Sequence, residues 1–427
     1  MALTVMLSVA LLATLVSTPA AAQAGPHCAE PFPLDDVSVG MTGQGATVER
    51  GTTTQPFSAE VVGVLDDGIG PGIDMIVADL DSPAIERAGV WAGMSGSPVY
   101  ADDGRLLGAV SYGLSEGTSS IAGLTPAAAM LDLYDYPGAT AGLKAAEEVS
   151  LPAAVQRRAA AAPDTTAAEA RSGMTQLPLP MAISGLRPER IDRLKQRIVR
   201  DRNVIPFAAG AATAAAADAD AIFPGSNFAA ALSYGDVTAG AVGTTTHVCD
   251  GRVLAFGHPL LWDGRTRLSA HSADALAIET GVFGSYKFAN IGGIAGTVDQ
   301  DRLTGVRGRL GDGPQPIVAR AQVRATDLGR ERVGRTWINR NRDVYDLASW
   351  HVLTNLDRGL DNFFTEGRVG MTWTARGTRG NGTPWKLTRT TRFADRFDVS
   401  WPAYLEVFDW LEVIQHNRFT DVQFEGF

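Results

Sequence analysis

Residues 93–113 read GMSGSPVYADDGRLLGAVSYG, and this stretch decides the fold of the first part of the chain. Short apolar and β-branched runs stand on both sides of Asp103-Gly104, a dipeptide that is typical of tight hairpin turns. Similar runs, such as AEVVGVLDD and IDMIVADL, recur from about Asp35 to Tyr136 between Gly/Asp turns. The sequence therefore predicts a small antiparallel β unit here.

The rest of the chain changes in composition along its length. Residues 139–176 are Ala-rich and lose the strand pattern, which indicates a linker or an exposed helix that is not part of a core. Strand-like runs resume after residue 177 and again after residue 314, with helices predicted at 188–200 and near 405–415. We predict five segments: a signal peptide at 1–24, a first β block at 25–138, a linker at 139–176, a second β block at 177–313 and a C-terminal β-rich block at 314–427.

Composition limits the classes of function. The chain has 427 residues, of which 45% are hydrophobic, so it can form two or three domains with cores. Its net charge of −10 argues against a general nucleic-acid binder. The sequence contains no Walker or dinucleotide-binding glycine pattern, and we expect no nucleic-acid partner, no organic cofactor and no metal.

The amino terminus has the pattern of an export signal. An apolar run from Val5 to Val16 is too short to cross a bilayer comfortably, and the small residues up to Ala24 suit a signal peptidase. No later segment is apolar enough to span a membrane, so we expect an exported chain whose oligomeric state stays open. Cys28 and Cys249 either form a disulfide or remain free thiols, and the sequence leaves both states open.

The loop Gly93-Met94-Ser95-Gly96 is the first candidate for chemistry. A serine hydroxyl is a weak nucleophile unless a tight turn exposes it and a base takes its proton. The glycines permit such a turn. The order of elements after this loop resembles that of chymotrypsin-like peptidases, in which an extended substrate pairs with the edge strand. Here that strand is Ser111-Tyr112-Gly113.

A histidine is the expected general base for Ser95, and six are available. His27 and His247 are interpreted as solvated, and His351 and His416 as packing or surface residues. His258 follows the buried-looking strand RVLAF and stands between Gly257 and Pro259, a place that would hold it rigidly beside a cleft. We predict His258 as the base.

Together these motifs resemble the SpoIVB-type serine peptidases and their exported bacterial relatives. The matching stretches are GMSGSPVYADDGRLLGAV, GTTTHVCDGRVLAFGHPL and SYKFANIGGIAGTVDQDRLTGVRGRLG, within residues 60–135 and 225–311. The resemblance implies a mainly β, chymotrypsin-like double β-barrel, plus the C-terminal β-rich (α+β) domain. It also implies Ser95 as nucleophile, His258 as base, and the N–H groups of Gly93 and Ser95 as the oxyanion hole.

The sequence departs from the sporulation enzyme in two features of the site. Ser95 precedes His258, so the order is circularly permuted; a catalytic triad depends on geometry and not on chain order. The family's acid has no exact counterpart. We predict Asp81 for that role, with Asp79 second and Asp236 third.

Three functions are compatible with the sequence. The first is an exported serine endopeptidase that cleaves a protein or peptide substrate through an acyl-enzyme. The second is a catalytically inactive envelope protein that uses the same barrels as a peptide-binding or structural scaffold. The third is self-processing alone, with cleavage in the Ala-rich stretch around residues 153–176. Cleavage preference, target and pathway do not follow from the motifs.

Overall fold

A computed structural model describes residues 28–136, 148–199, 202–218, 220–281 and 284–427. The predicted signal peptide lies outside these residues. Within them the strands are β1 (Thr42–Thr47), β2 (Gln55–Gly70), β3 (Ile73–Asp81), β4 (Pro98–Ala101), β5 (Leu106–Leu114), β6 (Ile121–Pro126), β7 (Met174–Gln176), β8 (Leu179–Ile183), β9 (Val204–Ala208), β10 (Asn227–Gly235), β11 (Ala239–Cys249), β12 (Arg252–Ala255), β13 (Gly264–Gly281), β14 (Gly284–Arg302), β15 (Gly305–Leu310), β16 (Ile317–Ala325), β17 (Arg330–Ile338), β18 (Gly367–Arg379), β19 (Pro384–Asp395) and β20 (Val422–Gly426). The α-helices are α1 (Pro83–Ala88), α2 (Ala127–Leu131), α3 (Ala153–Ala159), α4 (Pro188–Ile198), α5 (Val344–Leu360) and α6 (Ser400–Gln415).

The first sheet closes into a six-stranded antiparallel barrel. Its strands pair in the order β4-β1-β2-β3-β6-β5, and β4 also pairs with β5 to complete the ring. The predicted Asp103-Gly104 hairpin joins β4 to β5. Apolar residues that alternate along the strands fill the barrel, among them Ile76, Val110 and Leu124.

The second sheet contains another closed ring. Strands β10, β13, β14, β15, β12 and β11 pair antiparallel in that order, and β10 pairs with β11 to complete the ring. Phe228 and Phe256 pack edge to face in its core. The predicted mainly β architecture of two barrels with a further β-rich part is therefore confirmed.

The C-terminal block extends the second sheet instead of forming a sheet of its own. Strand β17 pairs with β10 of the second barrel, and β16, β20, β18 and β19 continue the same sheet outward. Helices α5 and α6 pack together beside these strands, at the positions where apolar helical patterns occur. The expected boundary at residues 313–314 thus lies within one continuous sheet.

The Ala-rich stretch was predicted to lie outside any core, and that prediction is wrong for its described part. Val155 and Ala159 of α3 are buried against the first barrel together with Val62 and Tyr112. Gly63 leaves the space, because a Cβ there would lie 2.8 Å from Cγ2 of Val155. Small side chains permit this close approach of helix and barrel, so alanine here indicates packing and not exposure.

A disulfide joins the two barrels near the start of the described chain. Cys28 and Cys249 are bonded to each other, which resolves the alternative that the sequence left open. The disulfide holds the N-terminal segment over His247, which is buried, with its Nε2 atom 3.1 Å from the Ala29 carbonyl oxygen. The expectation that His247 is solvated is therefore wrong. Among the helices of the described residues, none combines the length and apolar character needed to cross a membrane.

Candidate active site

The loop that carries Ser95 runs between α1 and β4 and lies against the second barrel. Gly93 and Gly96 adopt φ angles of +93° and +96°, which are favourable for glycine alone. A Cβ at Gly96 would come within 2.0 Å of the Thr244 carbonyl oxygen on β11. The two glycines of this motif therefore serve both the turn and the close approach between the barrels.

Every carbonyl oxygen from Ala92 to Gly96 accepts a hydrogen bond. Four of the five donors belong to the second barrel: three are in two threonines of β11 and one is in β14. The pairs are Lys287 N to Ala92 (2.8 Å), Thr244 Oγ1 to Gly93 (3.0 Å), Ser97 N to Met94 (2.8 Å), Thr244 N to Ser95 (2.9 Å) and Thr246 Oγ1 to Gly96 (2.7 Å). The backbone of the loop is thus fixed at each peptide unit.

Two N–H groups of the same loop have no acceptor. The N–H groups of Met94 and Gly96 bond to Trp91 and Val110, but within the described chain those of Gly93 and Ser95 bond to nothing. In a trans peptide the N–H points opposite to the carbonyl of the same unit, so anchoring Ala92 and Met94 by their oxygens also aims these two N–H groups. Such preorganised donors are what an oxyanion requires.

His258 stands on a second loop, after β12. Phe256 and Gly257 both have positive φ values, +72° and +69°, and for the bulky Phe256 this is a strained conformation. Gly257 lies so close to β5 that a Cβ would meet the Ser111 hydroxyl at 2.1 Å. Thr125 donates to the Gly257 carbonyl oxygen at 2.6 Å. These contacts fix the backbone directly before the histidine.

A buried carboxylate fixes the backbone after the histidine. Asp301, at the end of β14, accepts the N–H groups of Leu260 (2.9 Å) and Leu261 (2.8 Å). Burial raises the pKa of Asp301 to about 6, against the lowering effect of these donors. Asp301 therefore positions the loop that carries His258.

The two loops bring the predicted nucleophile and base into contact. The Ser95 Oγ atom lies 2.8 Å from Nε2 of His258, although 163 residues separate them. Both side chains are 0% exposed. Burial lowers the pKa of His258 to about 4, with an opposing effect of the Pro259 carbonyl oxygen, so the imidazole is neutral at pH 7. A neutral imidazole can accept the serine proton.

The other ring nitrogen has no carboxylate partner. Nδ1 of His258 lies 2.9 Å from the Pro259 carbonyl oxygen and 2.8 Å from Nε2 of Gln176. Asp81, the predicted acid, is exposed at the end of β3 and makes no hydrogen bond to His258. The assignment of Asp81 is therefore corrected, because the partners of His258 in the described chain are Ser95, Pro259 and Gln176.

Asp79 and Asp236, the second and third candidates for the acid, also interact with other residues. Asp79 accepts a hydrogen bond from the Ser120 hydroxyl. Asp236 forms an ion pair with Arg332 at 2.7 Å. In their place a backbone carbonyl oxygen, that of Pro259, lies next to Nδ1 of His258.

The predicted substrate-pairing strand is paired with the chain itself. Strand β7 runs antiparallel to the end of β5, with Tyr112 opposite Gln176 and Gly113 opposite Thr175. The N–H of Leu177 donates to the Ser111 carbonyl oxygen at 3.0 Å. Residues 111–113 thus form a β-pairing edge beside the nucleophile loop, and in this structure β7 occupies it.

Lys287 is a member of the site's surroundings that sequence reasoning did not single out. It is completely buried, and its Nζ donates to Asn227 (2.9 Å) and to Thr244 (3.4 Å), the residue that holds the nucleophile loop. Burial lowers its pKa to about 7, partly offset by Glu49. Its position in SYKFANIGG, a stretch of the motif resemblance, was the available signal.

Three groups of possible metal ligands in the described residues are engaged with protein partners. Asp263 pairs with Arg342 at 2.6 Å, and Asp299 with Arg307 at 2.9 Å. The cluster of Cys28, Cys249 and Asp250 contains the disulfide, whose sulfurs are not thiolate ligands. These residues act as structural anchors.

No protein-family model, curated protein or solved structure matches this chain. The chemistry must therefore be argued from the site. It offers a hydroxyl in contact with a neutral imidazole, two unpaired N–H groups beside that hydroxyl, and a strand edge that binds an extended peptide. These are the parts that acyl transfer from a peptide needs.

Proposed function

We propose that this protein is an exported serine endopeptidase of the SpoIVB type. The observation that carries the proposal is the 2.8 Å contact between Ser95 Oγ and His258 Nε2, flanked by the unpaired N–H groups of Gly93 and Ser95. The motif resemblance independently predicts the Ser95 hydroxyl, the His258 imidazole and these two N–H groups as the catalytic groups. Export is part of the proposal; the disulfide supports it, because such bonds persist in oxidising compartments.

The reaction proceeds in two steps. Ser95 Oγ bonds to the substrate carbonyl carbon while its proton moves to Nε2 of His258, and the carbonyl oxygen takes the negative charge beside the two N–H groups. The C–N bond then breaks, and His258 gives the proton to the leaving amine. In the second step water, deprotonated by His258, attacks the acyl-enzyme and releases the carboxylic acid and the free serine.

The proposed site works with a carbonyl oxygen in the place of a triad acid. A proton on Nδ1 of His258 is donated to the Pro259 oxygen, and this leaves Nε2 free to act as base. A neutral acceptor stabilises the imidazolium less than a carboxylate does, and the low pKa of His258 agrees with this weaker support. We therefore expect slower acylation than in an enzyme with a complete triad.

A non-catalytic scaffold is the second candidate function. The observation that favours it is that Ser95 and His258 have no exposed surface and that the β5 edge already carries a strand. A protein that only binds or supports would not need an accessible hydroxyl. In this alternative the Ser95–His258 contact is a buried structural hydrogen bond.

Labelling with a fluorophosphonate separates the two functions. This probe reacts with an activated serine and forms a stable phosphonyl-enzyme. We expect wild-type protein to be labelled at Ser95, and labelling to fall below detection in Ser95→Ala and at least 1000-fold in His258→Ala, consistent with the loss of a nucleophile or its base. Absence of labelling in every folded form, the more accessible variants described below included, would refute the peptidase and leave the scaffold.

A further inference from the structure

The segment from Met174 to Pro178 follows the path of a peptide substrate through the site. Along one edge of β5, Val110 bonds to Gly96 and Ser97 of the nucleophile loop, and the next residue, Ser111, accepts the N–H of Leu177. The segment then continues as β7, antiparallel to residues 112–114. It thus adds to the sheet directly beside Ser95, as an extended peptide would.

The side chains of the segment fill positions around the reactive groups. Leu177 is 7% exposed and belongs to the apolar cluster that contains Met94 of the nucleophile loop. Its Cδ2 atom would lie 3.0 Å from a Cβ at residue 113, so Gly113 provides its space. Gly113 therefore leaves room for an aliphatic side chain, which packs into the same apolar cluster as Met94.

The next residue back in the chain blocks the base. Nε2 of Gln176 donates to the Pro259 carbonyl oxygen at 3.0 Å, and since that oxygen only accepts, the amide nitrogen must face it. The same nitrogen lies 2.8 Å from Nδ1 of His258 and offers it a proton. Nδ1 then accepts, the ring proton resides on Nε2, and His258 donates to Ser95 instead of receiving its proton.

The bond that follows Leu177 is unsuited to cleavage. Its nitrogen belongs to Pro178, which carries a ring carbon in place of a hydrogen and has a fixed φ angle. The carbonyl oxygen of Leu177 receives no hydrogen bond from Gly93 or Ser95, the two donors expected to hold an oxyanion. The segment is bound along the site without being placed for attack.

We propose that residues 174–178 are an internal pseudosubstrate, which occupies the subsites of the peptide substrate and keeps the enzyme inactive until it is displaced. The substrate class follows: an extended peptide with a leucine-like aliphatic side chain on the acyl side of the cleaved bond and a residue other than proline after it. This inference rests on the proposed function, since subsites have this meaning only if Ser95 is a nucleophile.

The test compares fluorophosphonate labelling rates of variants. Leu177→Ala removes the side chain that anchors the segment. Leu179→Ala, its matched control, removes a buried leucine of β8, which pairs with β11 of the second sheet and not with β5. We expect Leu177→Ala to be labelled at least tenfold faster than wild type, and Leu179→Ala no faster. Gln176→Ala serves as a second displacing variant if Leu177→Ala does not fold.

The substrate class is tested with a peptide aldehyde, which adds reversibly to an activated serine. Acetyl-Met-Thr-Gln-leucinal copies the segment, and the matched compound that ends in an aspartate aldehyde differs only in the side chain for the pocket. In the displaced variant we expect the first to slow labelling at least tenfold more than the second at equal concentration. Equal protection by both would overturn the assigned subsite.

The outcomes separate the inference from the proposed function. If wild type, Leu177→Ala and Gln176→Ala are all labelled at Ser95 at the same rate, the peptidase stands and the pseudosubstrate is refuted. If the displaced variants are labelled more slowly than wild type, the segment supports the site and the pseudosubstrate is likewise refuted. If no folded variant is labelled, both proposals fail.

Discussion

The loops that carry Ser95 and His258 are both fixed by the second barrel, but through opposite ends of the peptide unit. The Ser95 loop is held by its carbonyl oxygens, through donors such as Thr244 and Thr246. The backbone after His258 is held by its N–H groups, through the carboxylate of Asp301, while Thr125 of the first barrel donates to the Gly257 carbonyl oxygen before it. The first arrangement leaves N–H groups available to a substrate, and the second uses them for support.

The comparison shows how one fold can give a loop either function. Where the barrel supplies hydroxyl and N–H donors, the facing loop keeps its own donors for an oxyanion. Where the barrel supplies a carboxylate, the facing loop uses its N–H groups to fix its own backbone, and a side chain on that loop is held in one position. Removing the donors that hold the Ser95 loop and removing the acceptor that holds the His258 loop should therefore have different effects.

The largest effect on this comparison is expected from Asp301→Ala. It leaves two buried N–H groups without an acceptor, which costs roughly 2 to 4 kcal/mol of unfolding free energy, and it releases the base loop. Urea unfolding measures the stability, and we expect the labelling rate to fall at least 30-fold. Asp301→Asn keeps one acceptor oxygen without a buried charge and should lose less than half as much stability. Equal losses in both variants would contradict the mounting role.

A smaller effect is expected from Thr244→Val on the other loop. The variant removes the hydroxyl that holds the Gly93 carbonyl oxygen and contacts Lys287, while the backbone bond to Ser95 remains. We expect about a tenfold slower labelling, since a misplaced loop weakens oxyanion binding. Thr246→Val is the matched control: it acts on Gly96, beyond the nucleophile, and should slow labelling less than threefold. The reverse order would contradict the proposed oxyanion site.

The acidity of His258 sets a third expectation. Burial lowers its pKa to about 4, so the neutral form that acts as base is lost only as the pH falls toward that value. Labelling should change less than twofold between pH 8 and pH 5.5, whereas an ordinary histidine of pKa about 6.5 would lose roughly tenfold. Labelling rates across this range, with circular dichroism to confirm folding, measure it. A midpoint of the labelling rate near pH 6.5 would contradict a buried base without a carboxylate partner.

The buried histidines should also make the free energy of unfolding fall as the pH is lowered. Burial lowers the pKa values of His258, His271 and His351 to about 4, below the value in the unfolded chain. Their contribution is complete above pH 6.5 and is lost as the pH falls toward 4, because the unfolded state then binds more protons. Burial raises the pKa values of Asp301 and Asp346 to about 6. Their contribution to the free energy of unfolding is therefore complete below pH 4 and is lost as the pH rises to 6.

The smallest effect is expected from Asp81→Asn. Asp81 is exposed at the end of β3 and does not bond to His258. The labelling rate should stay within twofold of wild type. Loss of a triad acid, by contrast, lowers acylation by orders of magnitude. A hundredfold loss in this variant would reinstate Asp81 as the acid and would refute the carbonyl oxygen of Pro259 in that role.

The sequence could identify the reactive pair because their requirements are local. The backbone conformation at Ser95 depends on the glycines on either side of Met94-Ser95, and that at His258 depends on Gly257 and Pro259. Because these residues are sequence neighbours, they are visible as short motifs. The antiparallel strands of the first block were predictable for a similar reason, since alternating runs and the Asp103-Gly104 turn indicate them. Their closure into barrels was expected only from the family resemblance.

The partners of the site could not be read in the same way. Which groups face Nδ1 of His258 depends on where the segment of Gln176 meets the loop of His258, and residues 82 positions apart give no local sign of that contact. Strand β7 has three residues without alternation, so nothing in MTQ indicates that it pairs with β5. The Ala-rich stretch was misread because its composition, without its contacts, resembles a linker.

The disulfide between Cys28 and Cys249 has a consequence for the lifetime of the polypeptide. Cys28 precedes Leu177 in the sequence and Cys249 follows it, so a cut within residues 174–178 would yield two chains that stay covalently connected. A nicked molecule would migrate as one species until a reductant is added. The bond therefore allows the protein to exist in a durable two-chain form, in which the severed strand can leave the β5 edge while neither half is lost.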